Sequence, residues 1–467
     1  MESTLAAQSG GPAPSPGFAT AQIHAGHVPD SDHGARIAPV YLSNGFVFAD
    51  FDEARARFDG DDDGFTYTRM GNPTNAAVER KLAALEGGVE AVVVASGQAA
   101  VTTAVLAVLK AGDHLVSARS IYEGTRGLFR DNLARLGIEV DFVDDADDPD
   151  AWRGLVRPTT RAFFGESIPN PRNDLLDIPA VAAVAHEAGV PLIVDNTLAT
   201  PYLLRPIEHG ADIVVHSTSK FLSGHGSSVG GVVIDSGRFD WTANRRRFSH
   251  LTDADAALGG DTWVGRYGSR ALAQYARTAV AARLGPTLAP FNAFLLQQGI
   301  ETLSLRVERH SANARAIAEW LERHPQVESV DYSGLASNPS HALAQRLLPR
   351  GQGSVFAFTL RGGHAAARAF VDAVGLFSRM THLGDVRSLV LHPASTSHQQ
   401  QSAEELRRAG IGQGTLRLSV GIEDLPDLLD DLEQALAAAR EAAVDPDEDS
   451  GFAATAHTHL LRHAAVS

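Results

Sequence analysis

Two short apolar runs in the middle of the chain each end in residues that could do chemistry. Pro191-Leu-Ile-Val-Asp195-Asn-Thr and Asp212-Ile-Val-Val-His-Ser217-Thr-Ser219-Lys220 both read as buried, β-branched strands whose C-terminal ends turn polar. Ligands of open parallel sheets bind beyond such ends, so Asp195 and Lys220 are expected to face one pocket. Of the 40 Lys plus Arg residues, only Lys81, Lys110 and Lys220 are lysines. The composition uses arginine wherever a positive charge suffices. Lys81 reads as part of the polar side of an amphipathic helix, and Lys110 as a cation at a helix C-terminus. Arginine does not lose its proton in a protein, whereas a lysine amine can, and can then attack a carbonyl. Lys220 is therefore either a nucleophilic amine or a cation that binds phosphate or a carboxylate.

The elements that would position these residues alternate. Strands are expected at 91–95, 114–118, 139–143, 161–166, 192–195, 213–217 and 231–234, with helical patterns such as 178–188 between most of them. That alternation predicts an α/β fold whose large domain has a mostly parallel seven-stranded sheet, covered on both faces. Ser96 reads as the N-cap of a helix over 99–110, and Gly87-Gly88 as the close of an amphipathic helix that runs from after Thr74 to Leu85. From about residue 301 the pattern changes to strands near 327–332, 354–359 and 416–420 with helices over 365–373 and 425–442, a smaller C-terminal α+β domain. The expected division is an N-terminal arm over 1–71, a large domain over 72–300, a small domain over 301–442, and a disordered tail over 443–467 that carries His457, His459 and His463.

Three further groups sharpen the site. Ser96-Gly97-Gln98 offers backbone N–H groups at a helix start, an anion seat. Ser217 and Ser219 place two hydroxyls on one side of an extended segment beside Lys220. Tyr122 follows a strand and offers a ring to stack on a flat ligand. An amine, a carboxylate, a phosphate seat and a stacking ring together describe a site for pyridoxal 5′-phosphate, whose aldehyde needs the lysine and whose pyridine nitrogen needs the carboxylate. The sequence has no G-x-G-x-x-G, Gly-Lys pair or H-E-x-x-H, so dinucleotide, P-loop and zinc-protease sites lack their fingerprints. Asp59-Gly-Asp-Asp-Asp-Gly64 begins like a calcium loop, but Met70 stands where a bidentate Glu is required. It reads as a solvated acidic turn, and no metal site is expected.

With 467 residues the chain exceeds one hydrophobic core. Its net charge of −16 argues against nucleic acid or an anionic membrane as partner. The absence of cysteine excludes disulfides and thiolate chemistry. With no span-length apolar run and no targeting pattern, a cytoplasmic location is expected.

Six motifs resemble one family. They are Tyr67-Thr-Arg-Met-Gly-Asn-Pro-Thr, Ala95-Ser-Gly-Gln-Ala, Val194-Asp-Asn-Thr, His216-Ser-Thr-Ser-Lys, Ser388-Leu-Val-Leu-His-Pro-Ala-Ser-Thr and Leu416-Arg-Leu-Ser-Val-Gly-Ile-Glu-Asp. From about 23 to 442 the chain resembles the Cys/Met-metabolism enzymes of the fold-type I pyridoxal-phosphate superfamily, and among them the O-acetylhomoserine sulfhydrylases. The resemblance implies that Lys220 bonds the cofactor aldehyde and shuttles protons, that Asp195 pairs with the pyridinium nitrogen, and that Tyr122 stacks on the ring. It implies Asn170 at the ring's 3′-oxygen and Gly97, Gln98, Ser217 and Ser219 at the phosphate. Tyr67 and Arg69 would reach that phosphate from a neighbouring subunit, in a homotetramer built of two site-sharing dimers. Arg417 would clamp the substrate carboxylate with Ser388 nearby. Arg417 also shares one face of its strand with Thr415 and Ser419, opposite Leu416, Leu418 and Val420, a pattern that a solvated strand face would equally give.

The implied reaction is γ-replacement, O-acetyl-L-homoserine plus sulfide giving L-homocysteine plus acetate, a step of methionine biosynthesis. Methionine γ-lyase and cystathionine γ-synthase activities share the cofactor motifs and are the alternatives; a cofactor-free binding relative is a third, opposed by the intact Lys220 and Asp195. The lyases usually carry a cysteine after the stacking tyrosine, and this chain has none. Arg387 stands before Ser388 where lyase and synthase relatives tend to have a non-basic residue; it would attract hydrosulfide or orient the leaving acetate, or else form an ordinary surface ion pair. Three departures from the sulfhydrylase pattern occur: Glu123 for Gly after Tyr122, Ser43-Asn44-Gly45 for a Thr-Thr-Ser-like run, and Ser219 for Thr.

Overall fold

The protein was analysed as a computed structural model, which describes residues 16–30 and 32–444. The expected tail and its three histidines, and most of the segment before Phe18, lie outside the described residues.

Seven strands form the larger sheet: β1 (Glu90–Val94), β2 (His114–Ala118), β3 (Glu139–Val143), β4 (Thr160–Glu166), β5 (Leu192–Asp195), β6 (Ile213–Ser217) and β7 (Gly231–Asp235). Their order is β1-β7-β6-β5-β4-β2-β3. The run from β6 to β3 is parallel; β7 is antiparallel to both β6 and β1. The central strands are Val- and Ile-rich and buried on both faces, as helices on both sides of a parallel sheet require. Asn72 caps the helix Pro73–Glu86 by accepting from Thr74 N, and Gly87 closes it at φ 79°.

A second, five-stranded sheet consists of β8 (Val327–Asp331), β9 (Val355–Leu360), β10 (Ser378–Arg379), β11 (Leu389–Leu391) and β12 (Thr415–Ser419), ordered β10-β11-β12-β9-β8. β10 and β11 were not expected; two and three residues are too short to show an alternation. The helices Gly363–Ala373 and Leu425–Val444 pack together over this sheet. The structure has two hydrophobic cores, one under each sheet. The helix Leu303–Glu322 serves both: Leu303 and Val307 lie in the first core, Ile317 and Leu321 in the second. The seam between the cores therefore falls inside one continuous helix.

Lys81 corrects an expectation. Its side chain is buried, and Nζ donates to Ile23 O at 3.0 Å and pairs with Glu301 at 3.3 Å. The helices Phe18–His24 and Pro290–Glu301 pack on the helix Pro73–Glu86 and cover the face that reads as polar. Burial lowers the pKa of Lys81. In the acidic turn, Asp61 and Asp62 lie near Arg266 and Arg57, at 3.5 and 3.8 Å. No helix among the described residues is long and apolar enough to cross a membrane.

Candidate active site

The site forms where β4, β5 and β6 end side by side. Glu166 and Asp195 are register partners at the last positions of β4 and β5, and Ser217 ends β6. Asp195 Oδ1 accepts from Thr197 N at 2.9 Å and Thr197 Oγ1 at 2.5 Å; no hydrogen bond to Oδ2 occurs among the described residues. Glu166 accepts from Tyr122 N at 2.7 Å. Burial and then the neighbouring Asp195 charge push the Glu166 carboxyl well above the usual range. Burial also raises Asp195, but the Thr197 donors and His216 oppose it. Glu166 is thus raised the more strongly of the two, and Asp195 is the one whose donors favour a charge. Sequence reasoning missed Glu166. The signal was present: it closes an apolar strand, as Asp195 does.

His216 and Glu86 form a fully buried pair at 2.6 Å, and Glu86 also accepts from Asn196. This network ties β6 and the turn after β5 to the helix Pro73–Glu86, and so stiffens both segments that carry the site.

Lys220 lies in the turn after β6, and Gly224 N donates to its carbonyl at 2.7 Å. Its Nζ contacts His382 Nδ1 at 3.2 Å. Burial, and then the positive field of Arg417, lower the Lys220 amine to about 8. An appreciable share of the amine is then neutral near pH 7, as a nucleophile needs.

Arg417 is nearly buried on β12, between β11 and β9. Thr415 and Ser419 are buried too, so this strand face is not solvated. Arg417 Nη1 donates to Asn170 Oδ1, and Nη2 to the carbonyls of Thr381 and His382, all at 3.1 Å. Its Nε is buried without a partner, and no carboxylate pairs with it among the described residues. A desolvated guanidinium without a counter-ion suits an incoming carboxylate.

The expected phosphate seat is a close packing of two chain segments. Ser96 caps the helix Gly97–Val108 by accepting from Ala99 N, leaving the first-turn N–H groups of Gly97 and Gln98 without intrahelical acceptors. A Cβ on Gly97 would lie 2.6 Å from Ser217 Cβ, so only glycine lets the helix start approach Ser217 this closely. Ser219 Oγ accepts from Gly230 N at 3.0 Å, and so also braces the loop beside Lys220. Tyr122 is half exposed, with its ring against Gly124. An amine of lowered pKa, a charged carboxylate with a free oxygen, an anion seat and an open ring fit pyridoxal 5′-phosphate.

Comparison with known proteins decides the family. Residues 19–437 match the family described as Cys/Met metabolism PLP-dependent enzyme. The chain belongs to this family. It is 48% identical to an O-acetyl-L-homoserine sulfhydrylase of Corynebacterium glutamicum over 90% of this chain and 97% of the relative. It is 43% identical to a homocysteine synthase of Schizosaccharomyces pombe over 91% and 99% of the two. Among solved structures it superposes, at TM-score 0.86 and 36% identity, on a Campylobacter jejuni chain described as an O-acetylhomoserine (thiol)-lyase that carries N′-pyridoxyl-lysine-5′-monophosphate; the match covers 90% of this chain and 99% of that one. This family member is accordingly a pyridoxal-phosphate-dependent enzyme.

Four expected residues, Ser388, Arg387, Tyr67 and Arg69, lie apart from the cluster or are already engaged. Ser388 is fully buried; its hydroxyl donates to Glu423 at 2.9 Å and accepts from Gly421 N at 2.8 Å. These two bonds brace the turn after β12, and no hydrogen bond joins Ser388 to Arg417 among the described residues. Arg387 is mostly exposed and its guanidinium pairs with Asp385 at 2.7 Å, the ordinary ion pair of the two readings above. Arg69 donates to Ala282 O at 2.6 Å, and its guanidinium lies 5.5 Å from the centre of the Tyr67 ring. Within one subunit neither Tyr67 nor Arg69 contacts the phosphate seat among the described residues. The departing Ser43-Asn44-Gly45 run pairs with Thr66–Thr68 and so braces the Tyr67 segment. Glu123 bonds Arg126 and Gln401, each at 2.8 Å, and lines a cavity of about 830 Å³ that reaches Asn170 and His398.

Proposed function

We propose that this enzyme performs γ-replacement on O-acetyl-L-homoserine with sulfide, giving L-homocysteine and acetate in the cytoplasm. One observation carries the chemistry: a desolvated lysine amine, a charged carboxylate and an unpaired buried arginine converge at the strand ends. The names of the relatives at 48% and 43% identity support the choice of substrate. When bound, the cofactor supplies an electron sink for charge developing on the amino-acid carbons. Around it, Arg417 receives the substrate carboxylate, and Asn170, which accepts from Arg417, would hold the ring's 3′-oxygen. Asp195 keeps a negative charge under the ring nitrogen. The Lys220 amine takes the proton from Cα, hands it on and, neutral again, takes one from Cβ, which its four-carbon stem allows; protons return to Cβ and Cα after the new bond forms. Acetate leaves Cγ, and hydrosulfide bonds the same carbon. The test is a panel of kcat/KM values. O-acetylhomoserine with sulfide is expected to exceed O-succinylhomoserine, cysteine as the thiol, and methionine cleavage. If methionine cleavage or cystathionine formation leads that panel, the assignment to sulfhydrylation falls while the cofactor assignment stands.

The site is read as shared between subunits of a homotetramer, with Tyr67 and Arg69 reaching the neighbour's phosphate. In support, the segment that carries them exposes large apolar side chains: Leu42, Val47, Phe51 and Phe58 are each more than two-thirds accessible. Contiguous exposure of this kind marks an interface. Lys220→Ala and Arg69→Ala proteins are each expected to be inactive, and to regain activity on mixing, because a hybrid dimer holds one site with both residues intact. Subunit exchange proven by mass without any return of activity rules out the sharing.

A further inference from the structure

His382 stands in the loop between β10 and β11, 162 residues from Lys220 in the chain, yet its Nδ1 lies 3.2 Å from Lys220 Nζ. An ammonium at Nζ can only donate, so against that form Nδ1 is the acceptor and the ring proton sits on Nε2. Nε2 is buried and has no partner among the described residues. The backbone beside this ring is held independently. Arg417 Nη2 donates to the carbonyls of Thr381 and His382, and Gly384 N donates to Ser419 Oγ at 2.9 Å. The imidazole is therefore fixed by the residue that suits the substrate carboxylate, while touching the residue that suits the cofactor.

We propose that His382 is a positioning residue for Lys220: its Nδ1 accepts one hydrogen of the Nζ amine whenever that amine is not bonded to the cofactor, so that the amine's lone pair stays directed at the substrate carbons. The proton balance is simple. The amine takes a proton from Cα and becomes an ammonium, still donating to Nδ1, and later gives that proton up; His382 stays neutral throughout. The charged groups facing the ring are consistent with this. Burial, then Lys220, lower the imidazole to about 4; Asp385 opposes and Arg417 adds to the lowering. Lys220 itself titrates at about 8, so between these values the pair holds one proton, on the amine.

The inference rests on Lys220 being the cofactor-bearing amine, which borohydride reduction and peptide mapping of the holoenzyme check separately: no label at Lys220 overturns that assignment and with it this proposal. The test compares His382→Phe, which keeps a ring but no acceptor, with His382→Asn, which keeps an acceptor. Two readouts apply besides turnover. The first is exchange of the Cα hydrogen of L-norleucine, an unbranched amino acid with no leaving group, in deuterium oxide on the holoenzyme. The second is the pH midpoint at which added pyridoxal 5′-phosphate bonds Lys220 in the cofactor-stripped full chain, followed by visible absorbance. The Phe variant is expected to exchange at least about tenfold more slowly, while the Asn variant stays within about threefold of the parent. The capture midpoint is expected to fall in the Phe variant, because its ammonium form loses an acceptor while burial is kept. A Phe variant that matches the parent in both readouts overturns the proposal. So does an Asn variant that binds cofactor in full but exchanges as slowly as Phe.

Discussion

Asp195→Asn is expected to lower kcat by about 10²–10³-fold while Glu166→Gln leaves it within about threefold. The two carboxyls are register partners on adjacent strands, and two charges cannot share that buried spot. Burial and the Asp195 charge raise Glu166 strongly, whereas Thr197 donates twice to Asp195. Glu166 therefore already behaves as a neutral group, and Gln keeps the acceptor that Tyr122 N uses. Asn at 195 keeps the shape and the Thr197 bonds but removes the charge that holds the ring nitrogen protonated. Cofactor content by visible absorbance is expected to stay near the parent value in both variants. Near-normal turnover of Asp195→Asn removes the pyridinium role; a Glu166→Gln protein as impaired as Asp195→Asn moves the charge to Glu166.

Arg417→Ala is expected to lower kcat/KM for the amino-acid substrate by about 10²–10³-fold, chiefly through KM, with cofactor binding retained. The guanidinium is nearly buried, burial lowers it to about 10, and its bonds run to three neutral oxygens rather than to a carboxylate. The substrate carboxylate supplies the missing counter-charge, and a planar fork meets it with two parallel bonds. Arg417→Lys keeps the charge but not the fork, so it is expected to fall between the parent and Ala. Steady-state kinetics with the amino-acid substrate varied at saturating sulfide reads this directly. An unchanged KM in the Ala variant places the carboxylate elsewhere.

The readable parts of the fold are those governed by local pattern. β2, β3, β5 and β6 run over the residues expected of them: β5 and β6, buried on both faces, leave apolar runs ended by polar residues, and the edge strand β3 leaves an alternation. Ser96, Gly87 and the helix near Ile178 follow from capping and period. The failures share another cause. Lys81 lies on a helix face that looks polar, yet two helices from distant parts of the chain cover it. Ser388 looks like a loop hydroxyl free for a ligand, but its side chain also braces Glu423 and Gly421. Arg387 looks like an anion attractor until Asp385 is found on it.

Lys220, Asp195 and the glycine-serine seat could be read from the chain because each sits at the end of its own strand or the start of its own helix, where local pattern dictates direction. Arg417 was half legible: alternation gave its face but not whether water or protein lay beyond it. That was decided by the packing of the two sheets, which brings β12 against Asn170 and buries the guanidinium. His382 left no trace in the sequence, being a loop residue far from Lys220 whose proximity depends on how the small sheet docks. The division between Glu166 and Asp195 also needed the fold. Which of two buried carboxyls keeps its proton depends on the donors each meets, and those donors arrive from other segments of the chain.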